Sequence, residues 1–216
     1  MEKYEKEFKN EEKKSNFFSS TNSTAVAIDD SGSTCGQIME NQKKIISNIL
    51  TGTNCENLLK NVIAWDHEVK ILPLEAINAG GGTYPAVILD KLGKNIENMI
   101  VTTDGYIDTN QVNDLRNKIK TFTNLKNIIC ISFQENVNSP SNLNIPVFYP
   151  FLEHAKKMHG SFYLFFFKND KLYLLLQNIP SHIETSFKSP LAEYTNDTKW
   201  EDIPNYDSNE LKKIIV

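Results

Sequence analysis

The sequence predicts an α/β protein: a doubly wound, mainly parallel central sheet with helices on both faces, extended at the C-terminal end by a β-hairpin. Three observations predict it. Short runs that are apolar throughout, Ala25-Val26-Ala27-Ile28, Met99-Ile100-Val101 and Ile128-Ile129-Cys130-Ile131, have the composition of strands buried on both faces. Segments with helical apolar spacing lie between them. Two of the runs end abruptly on a carboxylate, Asp29 and Asp104, and in sheets of this kind ligands gather beyond the carboxyl ends of the strands.

The elements follow in order. Residues 1–23 mix Glu and Lys without sustained apolar periodicity and read as a flexible charged leader. The first strand then runs into the polar loop Asp29-Asp30-Ser31-Gly32-Ser33. Ile38, Ile45, Ile46 and Ile49 recur at helical spacing, and Thr51-Gly52-Thr53-Asn54 supplies stop residues. Residues 62–65 and 69–72 flank the turn Asp66-His67-Glu68 and predict a hairpin. Gly80-Gly81-Gly82-Thr83 opens a helix with Pro85 in its first turn. After the strand ending at Asp104-Gly105, Val112, Leu115, Ile119 and Phe122 form the apolar stripe of a further helix. Ile128–Ile131 is a strand, Gln134 to Asn144 a polar loop, and Ile145 to Tyr149 a further strand, which Pro146 marks as an edge. The expected domain spans residues 24–150. Residues 151–216 form an extension whose apolar runs, around Lys168-Asn169-Asp170-Lys171, predict a hairpin over about 162–176 that packs on the main domain.

Bulk properties narrow the function. A net charge of −4 and a pI near 5.6 offer no broad attraction for phosphate backbones, and no stretch approaches a membrane span, so neither nucleic acid nor a membrane is expected as partner. The start lacks the apolar core of a signal peptide, and three cysteines without C-x-x-C spacing suit reduced thiols, which together predict a soluble cytoplasmic protein. Cys130 reads as a small core residue, Trp65 and Trp200 as packing residues, and His67 as an exposed turn residue.

The chemistry sits in the loops. Asp29, Ser31 and Ser33 alternate in one loop, so their oxygens can converge while Asp30 and Gly32 face away. Thr83 and Asp104 come from two other loop crests. Carboxylate and hydroxyl oxygens alone form the ligand set preferred by a hard divalent cation, Mg²⁺ first, with Mn²⁺ or Ca²⁺ as substitutes. Each piece alone has a bland reading: turn and cap residues at 29–33, a helix cap at Thr83, a turn at Asp104-Gly105. Asp30, Gly32, Gly82, Gly105 and Asp108 would rim the site. Asp30 and Asp108 add negative charge nearby and read as solvated loop carboxylates.

In order and strand context these residues resemble the metal-ion-dependent adhesion site of the von Willebrand factor A family. The pattern D-x-S-x-S, a distant Thr, then Asp-Gly is met by Asp29-Asp30-Ser31-Gly32-Ser33, Thr83 and Thr103-Asp104-Gly105. The resemblance covers about residues 24–150 and implies a Rossmann-like fold. It also implies that the Ser and Thr hydroxyls ligate the cation directly, that the aspartates act largely through water, and that a partner's Asp or Glu fills an open coordination position. One departure is that few residues separate Leu74 from Gly80, where many members insert a helix. The function expected is a metal-dependent protein-binding module, not an enzyme. Two alternatives stand beside it. One is a Mg²⁺-dependent phosphotransfer enzyme of haloacid dehalogenase type with Asp29 as nucleophile, although Ser31 occupies the place of that family's second Asp. The other is a scaffold whose main contact is the C-terminal hairpin.

Overall fold

The computed structural model describes residues 23–180, 185–188 and 198–215, so the leader expected at 1–23 lies, apart from Ser23, outside the described residues. Its strands are β1 (Thr24–Asp29), β2 (Val62–Trp65), β3 (Val69–Leu72), β4 (Asn98–Thr103), β5 (Asn127–Ser132), β6 (Phe162–Lys168), β7 (Lys171–Pro180), β8 (Thr185–Lys188) and β9 (Asn205–Tyr206). The helices are α1 (Gln37–Leu50), α2 (Ile88–Lys91), α3 (Thr109–Ile119), α4 (Tyr149–Lys157) and α5 (Ser208–Ile215).

All nine strands among the described residues join one mixed sheet in the order β3-β2-β1-β4-β5-β6-β7-β8, with β9 also paired to β7. Its centre is parallel: β1 pairs β2 and β4, β4 pairs β5, and β5 pairs β6 in that sense. Antiparallel strands finish both sides, β3 on β2 and the β7, β8 group on β6. The hairpin read near 162–176 is therefore β6–β7, and it continues the sheet.

Strand alternation explains why the central runs are apolar throughout. Ala25, Ala27, Met99, Val101, Ile128, Cys130, Phe162, Leu164 and Phe166 enter one core with residues of α2, α3 and α4. Their neighbours Val26, Ile28, Ile100, Ile129, Ile131, Tyr163, Phe165 and Phe167 enter a second core with α1 and Leu211 of α5. The Val, Ile, Leu, Met and Phe side chains among them gain about 1.5–3 kcal/mol each from burial, so a polar residue on either face of these strands is costly. A register shift between Leu164 and Phe165 gives β7 one extra residue, which puts both Leu175 and Leu176 in the first core.

Two expectations change. Ile145 to Tyr149 is not a strand: Pro146–Phe148 forms a 3-10 turn leading into α4. Pro146 and Pro150 each sit in the first turn of a helical element, where the fixed proline φ suits entry and the missing N–H costs nothing. The segment after Gly82 is also less regular than a full helix, being a 3-10 turn at Pro85–Val87 followed by the single turn of α2. Among the described residues no helix is long and apolar enough to cross a membrane.

Candidate functional site

Because β1 and β4 are parallel neighbours with Ile28 opposite Thr102, the chain segments leaving their carboxyl ends start side by side. Asp29 and Asp104, 75 residues apart in sequence, thus emerge on one edge of the sheet, and both are fully buried. Asp29 is held at both oxygens: Oδ1 accepts from the Ser31 amide at 3.0 Å and Oδ2 from the Thr103 hydroxyl at 2.6 Å. Burial pushes the Asp29 carboxyl up to about 7, the nearby Asp104 adding to the rise while the bonds from Ser31 and Thr103 oppose it. Asp104 Oδ1 accepts from the Tyr106 amide at 3.1 Å, whereas its buried Oδ2 has no partner among the described residues.

The hydroxyls complete the group. Ser31 and Ser33 oxygens lie 3.2 Å apart, the first buried and the second exposed. The Thr34 hydroxyl donates back to the carbonyls of Asp29 and Ser31, tightening the loop into a 3-10 turn. Thr83 is half-buried and does not cap the turn that follows, whose N-cap position is Tyr84 without a side-chain bond. The bland reading of Thr83 as a helix cap is thereby removed.

Backbone stitching places the Gly-rich loop over the first loop. The Gly32 amide donates to Gly81 O at 3.0 Å and the Gly80 amide to Asp30 O at 2.7 Å. Gly81 is required here twice over, by its φ of +84° and because a Cβ would overlap the Asp66 carboxylate. Asp66, at the β2–β3 turn, accepts from the Glu68 amide at 2.6 Å, and His67 Nδ1 lies 3.1 Å from it with its side chain mostly exposed. On the other flank the Gln134 side chain bonds Ser132 Oγ and both backbone groups of Asn144, and the Asn144 side-chain Nδ2 donates to Gly105 O at 3.0 Å. Gly105 has φ +79°, which disfavours any other residue, and a Cβ there would sit tightly at 3.0 Å from Asn144 O.

Three features were not foreseen from sequence. Asp30 is buried, contrary to the solvated carboxylate expected, because the Gly-rich loop and the β2–β3 turn close over it. Its Oδ1 has no hydrogen-bond partner among the described residues, and burial together with the neighbouring Asp66 pushes the carboxyl up to about 6. Asp108 is instead the N-cap of α3, in a reciprocal capping box with Gln111, and faces solvent. Gln42, fully buried on α1, donates to Asp29 O at 3.0 Å and accepts from the Thr102 hydroxyl, tying the helix to both strand ends. The signal for Gln42 was present: it is the lone polar residue in the stripe Ile38, Met39, Ile45, Ile46, Ile49.

The donor set suits a hard cation. Two carboxylates and a pair of adjacent hydroxyls face one locality, and a fully buried carboxylate oxygen without a hydrogen bond is a costly group that a cation or its water shell would satisfy. Among the described residues no three His, Cys, Asp or Glu side chains cluster as a metal-binding group; the candidate donors are carboxylate and hydroxyl oxygens alone, which match hard ions rather than nitrogen- or sulfur-preferring ones. No known protein-family model and no curated protein sequence matches the chain.

Proposed function

We propose that the protein is a von Willebrand factor A-type binding module, with a doubly wound Rossmann-like core, that captures an acidic side chain of a partner protein at a divalent cation. The observation that carries this reading is the buried, unpartnered Oδ2 of Asp104 beside the twice-anchored Asp29 carboxylate and the Ser31–Ser33 hydroxyl pair. Ser31, Ser33 and Thr83 would offer hydroxyl oxygens to Mg²⁺, and Asp29 and Asp104 would balance its charge. When bound, the cation supplies an electrophilic centre able to accept an external carboxylate.

The chain's own residues supply the rest. Thr103 and the Ser31 amide fix the rotamer of Asp29, and the Tyr106 amide fixes that of Asp104. Gln42 prevents the carboxyl ends of β1 and β4 from separating from α1. The exposed Ser33, Gly81 and Gly82 leave the approach open. Two features support binding over phosphotransfer. Asp29 is buried with both oxygens engaged, poorly placed for in-line attack, and Ser31 stands where a general acid would be needed.

Mg²⁺ titration followed calorimetrically tests the site, with Asp29→Ala as control, and affinity capture in Mg²⁺ or EDTA tests the function. The expected result is a single Mg²⁺ site lost in the variant and a partner retained only by the wild type with Mg²⁺. Equal capture under all conditions would contradict metal-mediated binding, and phosphatase turnover abolished by Asp29→Asn would replace it with the enzymatic reading.

A further inference from the structure

The opposite edge of the sheet carries a separate feature. Since β4, β5 and β6 are parallel, the segments entering them, 92–97, 120–126 and 158–161, gather at the edge remote from Asp29 and Asp104. Named bonds weld them into one surface. Asn124 Nδ2 donates to Lys94 O at 2.8 Å, the Lys126 and Asn127 amides both donate to Glu97 O, and the Ser161 amide donates to Asn127 Oδ1 at 3.0 Å. Buried His154 Nε2 contacts Phe122 O and Leu125 O, and Gly160 packs so closely on the Lys126 carbonyl that a Cβ would overlap it.

This surface is cationic in a chain whose net charge is −4. No Asp or Glu occurs from Leu115 to Gln134 or from His154 to Asn169. Lys94, Lys120, Lys126 and Lys157 are exposed, and among the described residues none of the four is in an ion pair. Asp90 and Glu153 nearby are already engaged by Lys118 and Arg116, leaving Glu97 as the acid of these loops. Cations near the carboxyl ends of α3 and α4 are favoured by the helix dipoles, which accounts for Lys118, Lys156 and Lys157. Lys94 and Lys126 precede strands and gain nothing from that source. Lys94 instead stacks its ammonium 3.7 Å over the Phe122 ring, which holds it at the surface.

We propose that these loops form a second docking surface, for a short acidic segment of a partner protein, independent of the cation site. The chemistry of the surface favours that occupant. The chain's single arginine, Arg116, is spent on Glu153, so there is no guanidinium fork for a duplex backbone. Among the described residues the exposed large hydrophobics, Ile71, Tyr106 and Tyr149, lie outside these loops, which thus present neither a stacking platform for bases nor an apolar anchor for a bilayer. Lysine point charges pair with carboxylates without needing either. A short segment also stays within the cationic loops, whereas an extended polyanion would meet the protein's acidic remainder.

The test uses the full chain in EDTA, so that the cation site cannot contribute, and a fluorescein-labelled oligoglutamate peptide read by anisotropy. Binding is expected, weakening steeply with salt, and falling about tenfold or more when Lys94, Lys120, Lys126 and Lys157 are all changed to Ser. The same charge removed at Lys43, Lys44, Lys171 and Lys199 should leave binding within about twofold, and melting curves would confirm that both variants fold. Absence of binding in EDTA, equal loss in both variants, or stronger association with phosphatidylserine vesicles or duplex DNA than with the peptide would overturn the proposal. None of these results bears on Mg²⁺ binding at Asp29 and Asp104.

Discussion

Asp29 is a carboxylic acid buried against its own preference for charge. Its carboxyl is held near 7 in the folded chain against an ordinary value of 3.8, so between those values the fold retains a proton that the unfolded chain releases. Stability of the metal-free protein should therefore fall as pH rises from about 4 to about 7 and level off above, with Asp30, held near 6, adding in the same direction. Melting temperatures in EDTA across that window check the sign, and Asp29→Asn should flatten much of the slope. Thr103→Val removes the hydroxyl that fixes Asp29 Oδ2 with little change of shape. About 1–2 kcal/mol of stability should be lost, with weaker Mg²⁺ binding, as measured by urea unfolding and calorimetry. The oxygen-bearing residues stand out in the sequence because Asp29, Ser31, Ser33 and Asp104 follow apolar strands and Thr83 ends a glycine run. The burial of Asp30 does not, since it depends on Asp66 and Gly81, which neighbour it only in the folded chain.

Among the elements, the loops around the site are built by backbone fit. Gly81→Ala must place a Cβ on the Asp66 carboxylate at a positive φ, and it should cost about 1–3 kcal/mol while displacing Thr83 and weakening Mg²⁺ binding. Gly82→Ala, at an exposed position where a Cβ meets only His67 Cβ at 3.9 Å, should be tolerated within about 0.5 kcal/mol. Urea denaturation of the pair measures the contrast. The central strands and α1 were readable because their apolar spacing is unambiguous. Residues 145–149 were misread because Pro146 beside Val147 and Phe148 suits an edge strand as well as a helix start, and only packing of Phe148 and Phe151 into the core decides between them. Helix α2 is a single turn, shorter than the helix expected after Thr83, since Leu92 already takes an extended conformation before Gly93.

At the scale of the whole molecule, one sheet is sandwiched between two cores, and the C-terminal residues complete both. Trp200 stacks on Phe166 with centroids 4.7 Å apart and meets Tyr173 edge-on at 5.1 Å, while its Nε1 donates to Asn138 O. Leu211 of α5 is buried in the second core against the α1 face. Trp200→Ala should cost about 3–5 kcal/mol without altering Mg²⁺ affinity, because β6 and β7 lie beyond β5 from the site. Sheet topology also separates the acidic edge that bears Asp29 and Asp104 from the lysine-bearing edge, a division that whole-chain charge conceals. The central claim is that a hard cation sits at the carboxyl ends of β1 and β4. Anomalous diffraction from a crystal grown with Mn²⁺ tests it most directly. One strong peak is expected within coordination distance of the Ser31 and Ser33 hydroxyls, flanked by Asp29, Thr83 and Asp104. A fully occupied crystal form with no peak there, or with its only peak on other side chains, would contradict it.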